Sequence, residues 1–257
     1  MSTPVSVAFD AGGNRAAFTL FHPKGNIITA EMVASLRTAL EGIGENPHLK
    51  LLTIEGAGKD FSFGASIPEH APEQIGRVLP EMHALIYDLL ATAIPTAALV
   101  RGRCFGGGFE LALACDFIFA EEGATFALPE IALGVFPPAA SVLLPARIGA
   151  ARAAASLLTG ETLDAREWHT RGLVQLLSAP GALHAAVDDW FGRSLAPHSA
   201  AALRHGVTAL RMSLQTQVAQ TLPEIERLYL DDLMHTRDAV EGIAAFIAKR
   251  PAAWTDE

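Results

Sequence analysis

The stretch "GRCFGGGFELALACD", residues 102–116, sets three consecutive glycines before a carboxylate that lies within an apolar run. A glycine run costs backbone entropy, and a charge among apolar residues costs desolvation unless it is paired or used. The glycines suit a place where backbone must come close to another group, and the helix they open has free N–H groups at its start that favour negative charge. Glu110 falls on the first turn of that helix. A tight turn alone would also explain the glycines, and the helix dipole alone would explain Glu110.

Upstream, "TAALV" reads as a buried strand leading into the glycines. "VSVAFD" and "RAAFTLF" read as two strands joined at "AGGN". "NIITAEMVASLRTALEGI" reads as a helix with Thr29 as its cap, a face of Met32, Leu36, Ala39, Leu40 and Ile43, and Gly44 at its end. "LKLLTIEG" is a strand of the buried type. "PEQIGRVLPEMHALIYDLLATA" is a second long helix, expected to kink or split at Pro80. Downstream, "CDFIFAEE" and "ATFALPEI" return to strand. Alternating strands and helices imply βαβ crossovers and a mainly parallel sheet, an α/β fold. From about residue 139 alanine and leucine dominate, and the chain is expected to be a layer of short amphipathic helices; the two parts meet near 190–200.

The 257 residues are 50% apolar and 18% charged, with a formal net charge of −9. That balance argues against nucleic acid as a main partner. No run of about 18 apolar residues suggests a membrane span. The first residues lack the basic-then-apolar pattern of a secretion signal, so a cytoplasmic location is expected. Cys104 and Cys115 are expected to be small buried hydrophobes in a reducing compartment.

Three loops follow predicted strands, on the edge where open α/β sheets bind ligands. They are "DFSFGAS", "RCFGGGFE" and "ALPEIALGVFPP". Two backbone N–H groups from two such loops, aimed at one point, would form an oxyanion hole. Glu110 and Glu130 both sit in apolar settings that raise a carboxyl pKa, and such a pair can divide the giving and taking of protons. The nine histidines show no metal-pair spacing on one helix face. Neither a serine-hydrolase elbow nor a P-loop is present.

"FSFGASIPEH", "GRCFGGGFELALACDF" and "ATFALPEIALGVFP", in that order, resemble the crotonase superfamily of enoyl-CoA hydratases and isomerases. "EWHTRGLV" and "RDAVEGIAAFIAKR" resemble its helical tail, and the likeness runs from about residue 5 to 250. The resemblance implies a ββα spiral core over 1–195 and a C-terminal helical region over 196–257 that assembles trimers or hexamers. It implies an acyl-CoA thioester substrate, with coenzyme A arriving as part of it and no separate cofactor or metal. The backbone N–H groups of Phe63 and Gly107 would hold the thioester oxygen, and Glu110 and Glu130 would match the two glutamates of the hydratases. Substrate would be lined by Phe61, Ser62, Gly64, Ala65 and Ile67 from the first loop. Phe105 and Gly106 would come from the second, and Phe136 and Pro137 from the third.

Where the family often has "GAD", this chain has "GAS", with Ser66 and Glu69 at capping-box spacing. Where the family is glycine-rich after the second glutamate, this chain reads "FPPAASVLLP", a stiffer and more apolar wall. Phe61, Phe63, Phe105, Phe109 and Phe136 gather around the three loops, core packing being the alternative for each. Together with that wall they resemble the members that hydrate a cyclic dienoyl-CoA of benzoyl-CoA breakdown. A straight-chain hydratase, another crotonase-type isomerase or hydrolase, or a non-catalytic homologue are the alternatives. His70 and His83 lie near the substrate loops. Lys24 and Lys249 are candidates for the CoA phosphates, with Arg101, Arg103 and Arg250 as further basic groups.

Overall fold

A computed structural model describes residues 3–44 and 46–257. Its main sheet has six strands in the order β1 (Val5–Phe9), β2 (Arg15–Leu20), β3 (Leu51–Gly56), β4 (Thr96–Val100), β6 (Phe117–Glu121) and β9 (Leu176–Ser178). Only β1 and β2 pair antiparallel, as a hairpin with Val5 opposite Leu20; every later pairing is parallel. The Asp10 carboxylate closes the hairpin turn by accepting the N–H groups of Asn14 and Arg15 at 2.7 and 2.9 Å.

A second layer runs alongside. β5 (Arg103–Phe105) pairs parallel with β7 (Thr125–Ala127), and β7 pairs antiparallel with β8 (Thr162–Asp164). Two isolated bridges extend this layer, Ser62 to Cys104 and Ala65 to Ile28. After β2, β3, β4 and β6 the chain crosses to the second layer and returns to the main sheet through a helix. This repeated path sets Ile28, the 62–65 loop, β5 and β7 side by side, so residues from successive turns meet.

Successive residues of the central strands face opposite sides, as a sheet covered on both faces requires. Leu52, Ile54, Ala98 and Val100 pack into the main core with α1 (Ala30–Gly44) and α2 (Pro72–Ala91). Leu51, Ala97, Leu99 and Phe119 pack under α7 (Leu183–Ser194) through Leu183, Val187 and Phe191. Thr29 caps α1, its hydroxyl accepting the Met32 N–H at 3.2 Å. α3 (Gly107–Leu113) is buried along its whole length.

Several expectations are corrected. α2 runs as one helix through Pro80, because its apolar face continues from Ile75 to Leu90 and holds both halves to the core. Ser66 makes no cap for the turn after it; Glu69 reaches away instead and accepts the N–H of Ala30 at 3.0 Å, capping α1. The region after 139 is not purely helical. Between α4 (Pro138–Ile148), α5 (Ala150–Thr159) and α6 (Ala165–Thr170), and before α7, the chain contributes β8 and β9. Strands of three residues are too short to show an alternating pattern.

The long α8 (Ala200–Arg227) is fastened by Arg211. Its guanidinium pairs with Asp116 at 2.6 Å and donates to the carbonyls of Leu89, Leu90, Thr92 and Ile94, which end α2 or follow it. A single π turn, Leu228–Asp232, continues α8 toward α9 (Arg237–Ile247). Cys104 and Cys115 are buried free thiols, and burial pushes Cys115 up to about 12. Among the described residues no helix is long and apolar enough to cross a membrane.

Candidate active site

The three loops converge on one cavity. It is walled by Phe63, Gly64 and Ala65, by Gly106, Gly107 and Glu110, and by Pro129, Glu130, Phe136, Pro137 and Pro138. Apolar side chains of α2, Ile75, Val78, Leu79 and Met82, also line it. Its free space is about 90 Å³.

The glycine run has a distinct reason at each end. Gly106 has φ +49°, and a Cβ there would stand 2.6 Å from Glu130 Oε1; the missing side chain is where the Glu130 carboxyl rests. A Cβ on Gly108 would stand 2.6 Å from Ser62 Cβ, so α3 packs directly on the first loop. Glu110 is thereby fixed inside the protein, where its Oε1 accepts the N–H of Ala140 at 2.9 Å. Glu130 Oε2 is buried without any hydrogen-bond partner.

This difference orders the pair. Burial raises both carboxyl pKa values. The Ala140 and Ala139 N–H groups counter the rise at Glu110, whereas the Glu110 charge adds to it at Glu130. The backbone partner at Glu110, and the lack of one at Glu130 Oε2, make Glu110 the better placed of the two to carry negative charge.

The first-loop N–H that faces the cavity is not the expected one. Phe63 N–H donates to the Gly25 carbonyl at 2.9 Å, so it is not free to hold a substrate oxygen. Gly64 N–H is taken by Ser62 Oγ at 3.1 Å. In the bridge to Ile28, the Gly64 carbonyl and the Ser66 N–H face Ile28. Ala65 N–H points the other way, toward the glycine run, and a Cβ on Gly107 would lie 3.3 Å from Ala65 N. Among the described residues no backbone acceptor takes the N–H of Ala65 or of Gly107. These two unpaired donors stand beside the two glutamates.

A sequence profile described as Enoyl-CoA hydratase/isomerase matches residues 12–257. The chain belongs to this family. It is 41% identical to the cyclohexa-1,5-dienecarbonyl-CoA hydratase of Thauera aromatica, over 98% of this chain and 97% of that one. It is 34% identical to a probable enoyl-CoA hydratase of Rhizobium meliloti, over 93% and 94% of the two chains. The crystal structure of an enoyl-CoA hydratase from Mycobacterium avium superposes with a TM-score of 0.88 at 28% identity, covering 99% of this chain and 100% of that one. The fold is thus the crotonase fold of this family.

Against that family pattern, the expected substrate residues divide. Phe63, Gly64, Ala65, Ile67, Gly106, Gly107, Glu110, Glu130, Phe136 and Pro137 all reach the cavity wall. Phe61, Ser62 and Phe105 do not. Phe61 is sealed in the main core. Ser62 is spent on loop geometry, its hydroxyl donating to the Asn26 carbonyl at 2.7 Å. Phe105 lies beneath Gly64 through its carbonyl. Phe109 is also core, tilted against Phe126 and edge to face with Trp168. The expected ring of five phenylalanines is therefore two, Phe63 and Phe136.

His70 joins the cavity wall, with Nδ1 bonded to the Ser66 carbonyl at 2.9 Å. His83 instead turns to α8 and bonds Glu226 at 2.5 Å. Lys24 and Lys249 are exposed. Lys24 precedes Gly25, whose carbonyl accepts the Phe63 N–H. Arg103 lies over the Phe63 ring at 5.0 Å, while Arg101 and Arg250 are committed to Glu55 and Glu241. Of the wall residues that were not expected, one is a fully buried polar side chain. Tyr229, on the π turn, is buried against the cavity and meets Phe136 edge to face at 5.3 Å. In the sequence it is one more apolar-side residue of the helical run "EIERLYLDDLMH".

Proposed function

We propose that this protein is a hydratase that adds water to an α,β-unsaturated acyl-CoA thioester, and that its substrate is a cyclic dienoyl-CoA. The observation that carries the reading is the pairing of two unpaired N–H groups, Ala65 and Gly107, with two buried glutamates in one apolar cavity. The thioester oxygen sits between the two N–H groups, which hold the negative charge that develops as the carbonyl becomes an enolate. Glu110, the ionised member, takes a proton from water while the water oxygen bonds to the β carbon. Glu130 gives its proton to the α carbon, and the proton on Glu110 returns to Glu130 to reset the pair. The step uses the thioester, water and this chain's residues.

The ring preference rests on the walls. Phe136, Pro137 and Pro138 share with Val78, Leu79 and Met82 the wall of a cavity of about 90 Å³. That is the same order as the about 150 Å³ apolar cavity that accepts benzene. The two prolines replace flexible backbone with a fixed wall, which favours a compact, rigid acyl group. The name of the Thauera aromatica relative points the same way. Lys24 and Lys249 are assigned to the CoA phosphates. The exposed apolar residues Leu210, Met212, Phe246 and Ile247 support assembly into trimers or hexamers through the C-terminal helices.

The test is hydration of crotonyl-CoA, a longer straight-chain enoyl-CoA and the cyclic 1,5-dienoyl-CoA by the purified protein, beside Glu110→Gln and Glu130→Gln. Turnover of the cyclic diene above the others, lost in both variants, is the expected result. Preference for a straight chain would overturn the ring assignment, and no hydration of any thioester would overturn the hydratase reading.

A further inference from the structure

Beyond the oxyanion donors and the glutamate pair, the cavity wall carries three polar side chains: Thr29, which caps α1, His70, whose Nδ1 is bonded to the Ser66 carbonyl, and Tyr229, which is fully buried. The Tyr229 side chain is 1% exposed and lines the same cavity as Glu110 and Glu130. The ring is held from the side by Phe136, at 5.3 Å and 78°, on the loop that follows Glu130. It is carried by a π turn, a helical irregularity that often accompanies functional positions because it redirects side chains. The surroundings keep it protonated: burial, then the charges of Glu130 and Glu110, hold its proton more tightly than in water. It is therefore a hydrogen-bond donor at any working pH.

Besides the unpaired Ala65 and Gly107 N–H groups, the glutamate pair and the tyrosine each bring to this cavity a side-chain polar atom without a protein partner. One is Glu130 Oε2. The other is the Tyr229 hydroxyl, which feels the glutamate charges but has no hydrogen bond to them. Unmet groups that share a cavity without touching are commonly bridged by a third. The bridging group must donate to a carboxyl oxygen and accept from a phenol. A hydroxyl does both, and the reaction proposed above supplies one, as the attacking water and then as the product alcohol.

We infer that the Tyr229 hydroxyl donates a hydrogen bond to the oxygen that is added to the substrate, making Tyr229 a third catalytic residue beside Glu110 and Glu130. It fixes the orientation of the water against the β carbon, and it meets the same oxygen in the hydroxyacyl product. This rests on the hydratase reading. Its signature is selective. A ligand carrying that oxygen should feel the loss of the phenol, and a ligand lacking it should not.

The experiment measures binding by calorimetry on Glu110→Gln, which cannot turn over, and on Glu110→Gln with Tyr229→Phe. The ligands are cyclohexanecarbonyl-CoA and its 2-hydroxy counterpart, which carries a hydroxyl on the β carbon. Removing the phenol should weaken the hydroxylated thioester about 3- to 10-fold, the range of one neutral hydrogen bond. The unhydroxylated thioester should bind equally to both proteins, which also shows that the second variant is folded. Tyr229→Phe alone should lower kcat with little change in KM. Equal weakening of both ligands, or of neither, would overturn the role of Tyr229 and leave the hydratase reading standing. Binding of neither thioester to Glu110→Gln would instead overturn the acyl-CoA reading, and the inference with it.

Discussion

Replacing Gly106 by alanine should separate activity from stability. The added Cβ would stand 2.6 Å from Glu130 Oε1, where ordinary contact begins at 3.4 Å, so the carboxyl must retreat by 3.4 − 2.6 = 0.8 Å. A misplacement of about 1 Å in a reacting group costs roughly 100-fold in rate. The backbone at Gly106 has φ +49°. With ψ −128° this lies outside the left-handed helical region, in backbone space that residues with a side chain hardly enter, and holding an alanine there costs about 1–3 kcal/mol, or roughly 2–12 °C in a chain of this size at about 2–4 °C per kcal/mol. The assay is kcat/KM for hydration together with the thermal midpoint, for Gly106→Ala and for Gly123→Ala. Gly123 is the control, since a Cβ there meets nothing within 4 Å and its φ is not in the left-handed region. The expected outcome is a folded Gly106→Ala with activity down about 100-fold and an unaffected Gly123→Ala. A folded Gly106→Ala with the activity of the parent would refute the claim that Glu130 must rest against Gly106 to act.

Arg211→Met should be among the most destabilising single changes, by about 3–5 kcal/mol, because it strands buried Asp116 and uncaps the end of α2; a urea midpoint measures it, and the exposed Arg193–Asp189 pair should cost close to nothing by comparison. Glu130→Gln should abolish hydration yet stabilise the fold in alkali. Both glutamates have folded pKa values above their unfolded ones, so the native state binds more protons, and stability falls as pH rises from the ordinary carboxylate range toward the raised values. The gain in thermal midpoint should therefore appear at pH 8 and vanish at pH 4. Glu69→Ala removes the acceptor of the Ala30 N–H and should cost about 1 kcal/mol, read by the same urea midpoint. Lys24→Ala should raise KM for the thioester without lowering kcat, an effect that fades at high salt as a phosphate contact at an exposed site requires.

The fold was largely legible because its signals are local and repeated. The Met32-to-Ile43 periodicity marks α1, continuous apolar runs mark β3 and β4, and both rest on burial patterns several residues long. β5, β8 and β9 were missed because three residues hold no pattern of their own and, unlike the equally short β7, none lies in a longer apolar run; β5 and β8 exist by pairing with β7, and β9 by pairing with β6. Tyr229 was missed for a related reason. Its place in the cavity depends on a π turn at the end of a 28-residue helix, and nothing in "RLYLDD" announces the extra residue in that turn.

The exchange of Phe63 for Ala65 shows where reading from sequence stops. In a regular strand, residues two apart point their N–H groups to the same side, so either would serve equally and sequence cannot choose. Gly64 breaks that regularity with φ +102°. The turn sends Phe63 N–H back to Gly25 and leaves Ala65 N–H facing Gly107. A Cβ on Gly64 would also press the Phe105 carbonyl at 3.0 Å, so glycine is required there twice, for its backbone angle and for its missing side chain. The reading "FGA" as a ligand loop depended on that glycine. Which neighbour it would aim at the substrate depended on Ile28, a partner more than thirty residues earlier in the chain.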